Sequence, residues 1–189
     1  RILTEYSKMY ASDFSRLRQD EARFEISVKG ALITGAIDLL LCEDTEKKIT
    51  TADVIDFKSM ETPEDVATYD WRDMSIQVQL YSKAAKEVIG ENVETGYIHT
   101  LKDNRRTAIP VDMESVGSAI GAIEWAVQGI LEGDFPMRAC PHNCGNCDFK
   151  AMCAQKRQPF KNDVMPPQIN TPAGTKTIAA FEEDGGGGK

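Results

Sequence analysis

No stretch of this chain approaches the ~20 consecutive apolar residues that cross a bilayer, so no membrane helix is expected. No signal peptide precedes the first expected helix either. Positive charge is also scarce. Lys and Arg total 22 against 30 Asp and Glu, for a net charge of -8 and a pI near 4.9. That balance excludes nucleic-acid binding through bulk charge, because phosphate neutralisation needs Lys and Arg. Metal-binding carboxylates add to the negative count, so part of the acidity can belong to a site. An even set of dispersed cysteines is missing too. Of five cysteines, four fall between positions 140 and 153, which argues against an ordinary disulfide framework. Such clustering fits a metal or cluster site in a reducing, cytoplasmic setting. No internal repeat is apparent.

What is present suits one domain with a small appendage: 189 residues, 41% hydrophobic and 28% charged. The chain begins at Arg1 rather than Met, so residues upstream are expected to have been removed or left out. Basic side chains gather at Lys102, Arg105 and Arg106, and again at Lys150, Lys156, Arg157 and Lys161. Each group reads equally well as solvated surface charge or as a local contact patch.

Apolar spacing predicts a helix over 3–20, from Leu3, Tyr6, Tyr10, Phe14 and Leu17. Strands are expected over 22–29, 31–42 and 49–59, forming an antiparallel meander. The polar stretch 61–73, with Pro63, reads as an irregular loop beside the site. A helix over 74–89 stops at Gly90. Two strands, 93–102 and 107–111, turn at Asp103-Asn104. Asp112 caps a helix that runs to about Leu131 and is ended by Gly133. From about Pro159 the chain loses periodicity and reads as a disordered tail or linker. The expected division is a core over 1–135, a cysteine-rich segment over 136–158 and the tail over 159–189.

Three strings carry the chemistry: Gly35-Ala36-Ile37-Asp38, Val54-Ile55-Asp56-Phe57-Lys58 and Gln77-Val78-Gln79-Leu80-Tyr81. Strand side chains alternate faces, so Asp56 and Lys58 share one face while Ile55 and Phe57 take the other. Likewise Ile37 and Leu39 are expected on the face opposite Asp38. Charges inside apolar strands are unfavourable unless paired or metal-bound. Two carboxylates suit Mg²⁺ or Mn²⁺, which polarises a phosphoryl oxygen and acidifies a bound water. A nearby lysine can orient that water or offset developing charge. Gln77 and Tyr81 lie one helical turn apart on one face, where amide and phenol can hydrogen-bond a phosphate or a base edge. Gln79, on another face, is the weaker candidate. Taken alone, Asp-x-Lys is more often a solvent-facing ion pair; the flanking strings argue against that reading.

Together these strings resemble the PD-(D/E)XK nuclease superfamily, RecB-like branch, over roughly residues 1–155. The resemblance implies an α/β, restriction-endonuclease-like core with a mixed central sheet flanked by helices. It implies metal-dependent hydrolysis of DNA phosphodiester bonds, exonucleolytic rather than endonucleolytic, in repair or recombination. Single-stranded DNA or duplex ends are the implied substrate, and a helicase domain or subunit the implied partner. Asp38, Asp56 and the Phe57 carbonyl are the implied metal ligands, Lys58 the catalytic lysine, and Gln77 and Tyr81 contacts to phosphate or supports of the site. The competing expectation is a binding module that keeps the fold without the activity.

Cys140, Cys144, Cys147 and Cys153 place four thiols within a short segment. By spacing alone they suit Zn²⁺ or an iron–sulfur cluster equally, with His142 a further possible ligand. Cys144-x2-Cys147-x5-Cys153 is similar to the C-terminal triplet of iron–sulfur RecB-like nucleases, which implies a [4Fe–4S] cluster. In that branch a fourth cysteine lies upstream of the first acidic strand, whereas here none precedes Cys42. Either Cys140 replaces it or the ligand lies before Arg1. The branch also carries an acid or histidine on an early helix. No histidine precedes His99, which leaves Glu5, Glu21 or a residue upstream of the chain.

Overall fold

The computed structural model describes residues 2–43, 51–63, 69–134, 148–149, 151 and 169–172. Two short helices, α1 (Ile2–Met9) and α2 (Asp13–Arg16), lead into strand β1 (Leu17–Val28). Strands β2 (Ala31–Glu43) and β3 (Thr51–Lys58) follow, then helix α3 (Tyr69–Ala84), which ends in a π-helical turn over Ala85–Ile89. Strands β4 (Asn92–Thr100) and β5 (Arg105–Ile109) precede the long helix α4 (Met113–Glu132). Among the described residues the sheet has five strands in the order β1-β2-β3-β4-β5. Only β3 and β4 run parallel; the other pairs are antiparallel. The molecule is thus α/β with a mixed sheet and flanking helices, as the sequence implied.

One face of the sheet carries α3. Ala22, Phe24, Ile37, Leu40, Val54, Tyr81 and Ala84 form one buried cluster there, and Trp71, Met74, Val78, Ile98 and Ile109 form a second. Glycine at position 96 lets the helix sit this low. A Cβ there would collide with Val78 Cγ1 and lie 2.8 Å from Val111 Cγ1. On the opposite face, Tyr6 of α1 meets Phe57 and His99 edge-on, with ring centroids 5.8 and 5.0 Å away.

The expected helix over 3–20 is corrected. The chain turns at Tyr10, where Asp13 N–H donates to the Tyr10 carbonyl, and Leu17 already pairs with Leu41. Strand β2 is 13 residues long and needs a partner along its length. Ladder hydrogen bonds therefore override the local helical periodicity. Helix α3 begins at Tyr69, inside the stretch expected to be irregular, because Trp71 and Met74 bury against the sheet. Strand β5 begins at Arg105 because the turn needs only Asn104 in the left-handed region, at φ 52. Both caps of α4 are as expected: Ser115 N–H donates to Asp112 Oδ1 at 2.9 Å, and Gly133 is left-handed at φ 65.

Residues 169–172 depart from the expected tail. Ile169 is buried, and Asn170 bonds to both α3 and α4. Cys140, Cys144, Cys147 and Cys153 lie outside the described residues, as does most of the expected tail. No described helix is long and apolar enough to cross a membrane.

Candidate active site

Strand β2 breaks its own alternation at Asp38. Ile37 and Leu40, three positions apart, both join the cluster on the α3 face, which an uninterrupted pleat forbids. The expectation that Ile37 and Leu39 both oppose Asp38 is therefore corrected for Ile37. Opposite Asp38, between the pairs Asp20↔Leu39 and Ala22↔Ile37, Glu21 has a positive φ of 48. Such irregularities re-aim a side chain. The Asp38 carboxylate reaches across to β3, where its Oδ2 accepts the Phe57 N–H at 2.8 Å. Main-chain pairing of β2 with β3 ends one step earlier, at Leu39↔Ile55. A side chain thus takes the place of the next ladder bond and ties Asp38 to the peptide between Asp56 and Lys58.

Asp56 is 1% exposed, and its Oδ2 lies 2.8 Å from Lys58 Nζ. Burial pushes the Asp56 carboxyl above the usual carboxylate range, and the nearby Asp38 charge adds to the effect against the pull of Lys58. Lys58 Nζ also donates to Gln77 Oε1 at 2.7 Å, and Gln77 Nε2 donates to the Tyr81 hydroxyl at 2.6 Å. An ammonium only donates, so it fixes the amide with its oxygen toward Lys58 and its nitrogen toward Tyr81. The result is one line of contacts from β3 to α3, an Asp56–Lys58 ion pair continued by the Lys58–Gln77 and Gln77–Tyr81 hydrogen bonds.

Tyr81 is buried against Phe24, with ring centroids 5.7 Å apart. Burial, with the Asp56 and Asp38 charges, raises its phenol against the Gln77 hydrogen bond. In this position Tyr81 supports Gln77 from beneath; of its two expected roles, the geometry favours support. Gly35 makes room for that packing, since a Cβ there would lie 2.7 Å from Phe24 Cζ. The segment after Lys58 is pinned to the β4–β5 turn. Leu101 N–H donates to the Lys58 carbonyl at 2.9 Å, and the Thr62 and Thr100 hydroxyls meet at 2.7 Å.

A divalent cation is the cofactor that the resemblance to PD-(D/E)XK nucleases implies. Asp38 and Asp56 form an oxygen-only donor pair whose mutual repulsion a cation would relieve, and one or two carboxylates with waters suffice for Mg²⁺. The residues present fit that group. Among the described residues no set of three or more His, Cys, Asp or Glu converges for a metal. Glu5 is exposed on α1, whose Tyr6 packs on the face opposite Asp56 and Lys58.

Arg106 does not belong to a surface patch. Its Nη2 donates to Asp13 Oδ2 at 2.6 Å and its guanidinium lies 4.0 Å above the Tyr10 ring. Tyr6 donates to the same Asp13 oxygen at 2.6 Å. Burial opposes ionisation of Asp13, but the hydrogen bonds from Arg106 and Tyr6 together hold its carboxyl below the usual range. The sequence reading missed this pair and the close approach at Gly96. A lone glycine inside an alternating strand was the available signal for the second; nothing local marked the first.

Residues 1–154 match the sequence profile of the PD-(D/E)XK nuclease superfamily. The chain belongs to that superfamily. No curated protein matches it. The superfamily fold recurs in a crystal structure of a candidate exonuclease from Eubacterium rectale, with TM-score 0.53, 15% identity and 87% of this chain covered. This chain spans 61% of that one. A structure named SSO0001 gives TM-score 0.47 at 17% identity, covering 82% of this chain and 69% of its own.

Proposed function

We propose that this superfamily member is a metal-dependent deoxyribonuclease domain. The observation that carries the reading is the Lys58 ammonium held between Asp56 and Gln77, with Asp38 tied to the peptide linking Asp56 to Lys58. Asp38, Asp56 and the Phe57 carbonyl would hold Mg²⁺ or Mn²⁺, which supplies Lewis-acid polarisation of a phosphoryl oxygen and a more acidic water. Lys58 directs its remaining N–H toward the scissile phosphate and offsets the negative charge that builds there. Gln77 keeps the ammonium from turning wholly toward Asp56, and Tyr81 holds the amide in the orientation this requires. The test is cleavage of single-stranded and end-bearing duplex DNA with Mn²⁺. Activity unchanged in Asp56→Ala or Lys58→Ala would sink the assignment.

The same reading assigns Cys140, Cys144, Cys147 and Cys153 to a [4Fe–4S] cluster, with Zn²⁺ as the alternative, in an intracellular protein of the RecB-like branch. It favours exonucleolytic action in repair or recombination beside a helicase partner. Anaerobic purification separates the two metals. A brown protein absorbing broadly near ~400 nm carries iron–sulfur; a colourless one with stoichiometric zinc does not. The competing reading is a non-catalytic binding module that keeps the fold. DNA binding without metal, and no cleavage with any metal, would support it.

A further inference from the structure

Gln79 is fully buried on α3, between Gln77 and Tyr81 in sequence. Its Nε2 donates twice, to the Pro110 carbonyl at 2.9 Å and to the Asn170 carbonyl at 2.8 Å. Its Oε1 is buried and has no hydrogen-bond partner. A leucine or methionine would fill this place without leaving an oxygen unsatisfied, so packing alone does not account for an amide. The two donated bonds do. An amide nitrogen has two hydrogens, and both are used.

The acceptors lie far apart in sequence. Pro110 follows β5, and Asn170 belongs to the returning C-terminal segment. Asn170 continues the chain of bonds, since its Nδ2 donates to Ser115 Oγ at 3.0 Å. Ser115 Oγ in turn donates to Asp112 Oδ2 at 2.7 Å, at the cap of α4. Beside Asn170, Ile169 is 2% exposed. One line of hydrogen bonds therefore joins α3, the end of β5, the start of α4 and residues 169–172.

We propose that Gln79, with Ile169 and Asn170, is a positioning clasp that sets the rotation and depth of α3 so that Gln77 meets Lys58. The inference rests on the nuclease reading of that site. Gln77 reaches Lys58 at 2.7 Å, and a displacement of about 1 Å at such a site can reduce turnover about 10²-fold. The C-terminal segment is then part of the support of the site.

The test compares the full chain with Gln79→Met, Ile169→Asp and the milder Asn170→Ala, which keeps the carbonyl that Gln79 bonds. Amide hydrogen exchange is read over Gln77–Tyr81, with Ile37–Leu41 as internal reference, alongside kcat and KM for Mn²⁺-dependent cleavage. Exchange at Gln77–Tyr81 should rise about tenfold or more in Gln79→Met and Ile169→Asp, and less in Asn170→Ala, with the reference unchanged. In the same order kcat should fall while KM for DNA holds. Unchanged exchange in both stronger variants overturns the clasp. Raised exchange with unchanged kcat overturns its positioning role. A wild-type chain that cleaves nothing overturns the nuclease reading, and the exchange data still decide whether the clasp exists.

Discussion

The Phe57 amide nitrogen sits 2.8 Å from Asp38 Oδ2, at the point where β2 and β3 stop pairing through their main chains. The sheet thereby opens where two carboxylates must come together, and the opening is held by one of those carboxylates. This arrangement disfavours the ionised form of Asp56, and the first expectation follows from that.

Burial and Asp38 raise the Asp56 carboxyl. A group raised in the folded state favours folding while protonated, and that support is lost as pH rises from its ordinary range through its folded value. The metal-free fold is therefore less stable at neutral pH than it would be with an uncharged group at this position. Asp56→Asn should raise the melting temperature in EDTA at pH 7 and abolish cleavage. A lower melting temperature would contradict this account of the site.

Lys58 and Gln77 should separate by magnitude. Lys58→Ala is expected to reduce kcat by about 10²–10³-fold, as for loss of a donor at developing charge. Gln77→Ala, which only releases Lys58, should reduce it about 10–100-fold, in the manner of an outer support. Steady-state cleavage at saturating Mn²⁺ measures both, and a larger loss for Gln77→Ala would reverse the assigned roles.

Gly96→Ala forces a methyl group into Val78 and Val111. Overpacking of this kind destabilises by about 1–3 kcal/mol. Urea unfolding should give that loss, and cleavage should fall further than the unfolded fraction explains, because α3 is lifted from the sheet. A Gly96→Ala chain with normal stability and activity would show that α3 can shift freely.

Arg106→Leu should unfold the protein more easily by about 3–5 kcal/mol, since it strands a buried carboxylate. The double variant Asp13→Leu, Arg106→Leu should recover much of that loss in chemical denaturation. If DNA affinity and its salt dependence change while stability holds, Arg106 belongs to a surface patch after all.

His99 gives the pH dependence. It is fully buried, and burial, with the nearby Arg106 charge, holds its imidazole below its ordinary value against a hydrogen bond with Asn104. Protons that the folded state refuses bind the unfolded chain below about pH 6.5, so stability falls as pH falls through that value. Melting temperatures at pH 7.5 and 5.5 should diverge more in the wild type than in His99→Gln. Equal losses would remove His99 from the explanation.

Much of this was legible in the residues. Asp38, Asp56, Lys58, Gln77 and Tyr81 stood out because charged and polar groups at fixed spacings interrupt apolar patterns, and the structure brings all five within one bonded neighbourhood. The break of alternation at Asp38 was not legible, because it accompanies a left-handed Glu21 on the neighbouring strand, which no local pattern announces. Nor was the role of Gln79, whose partners Pro110 and Asn170 are remote in sequence. The periodicity of Leu3 to Leu17 misled where β2 demanded a longer partner. Local pattern reports which face a residue prefers; it does not report what arrives on that face from elsewhere.

The parallel pairing of β3 with β4 has a consequence for how the molecule forms. Strands β1, β2 and β3 are sequential antiparallel neighbours and can associate with little loop closure. Strand β4 joins only after the chain has passed through α3 and returned, the slower kind of contact. By that reasoning the Asp38–Phe57 bridge is expected to form with the meander and the Lys58–Gln77 contact with the later crossover. The nascent chain should gather its two negative charges before the helix that partners the lysine arrives.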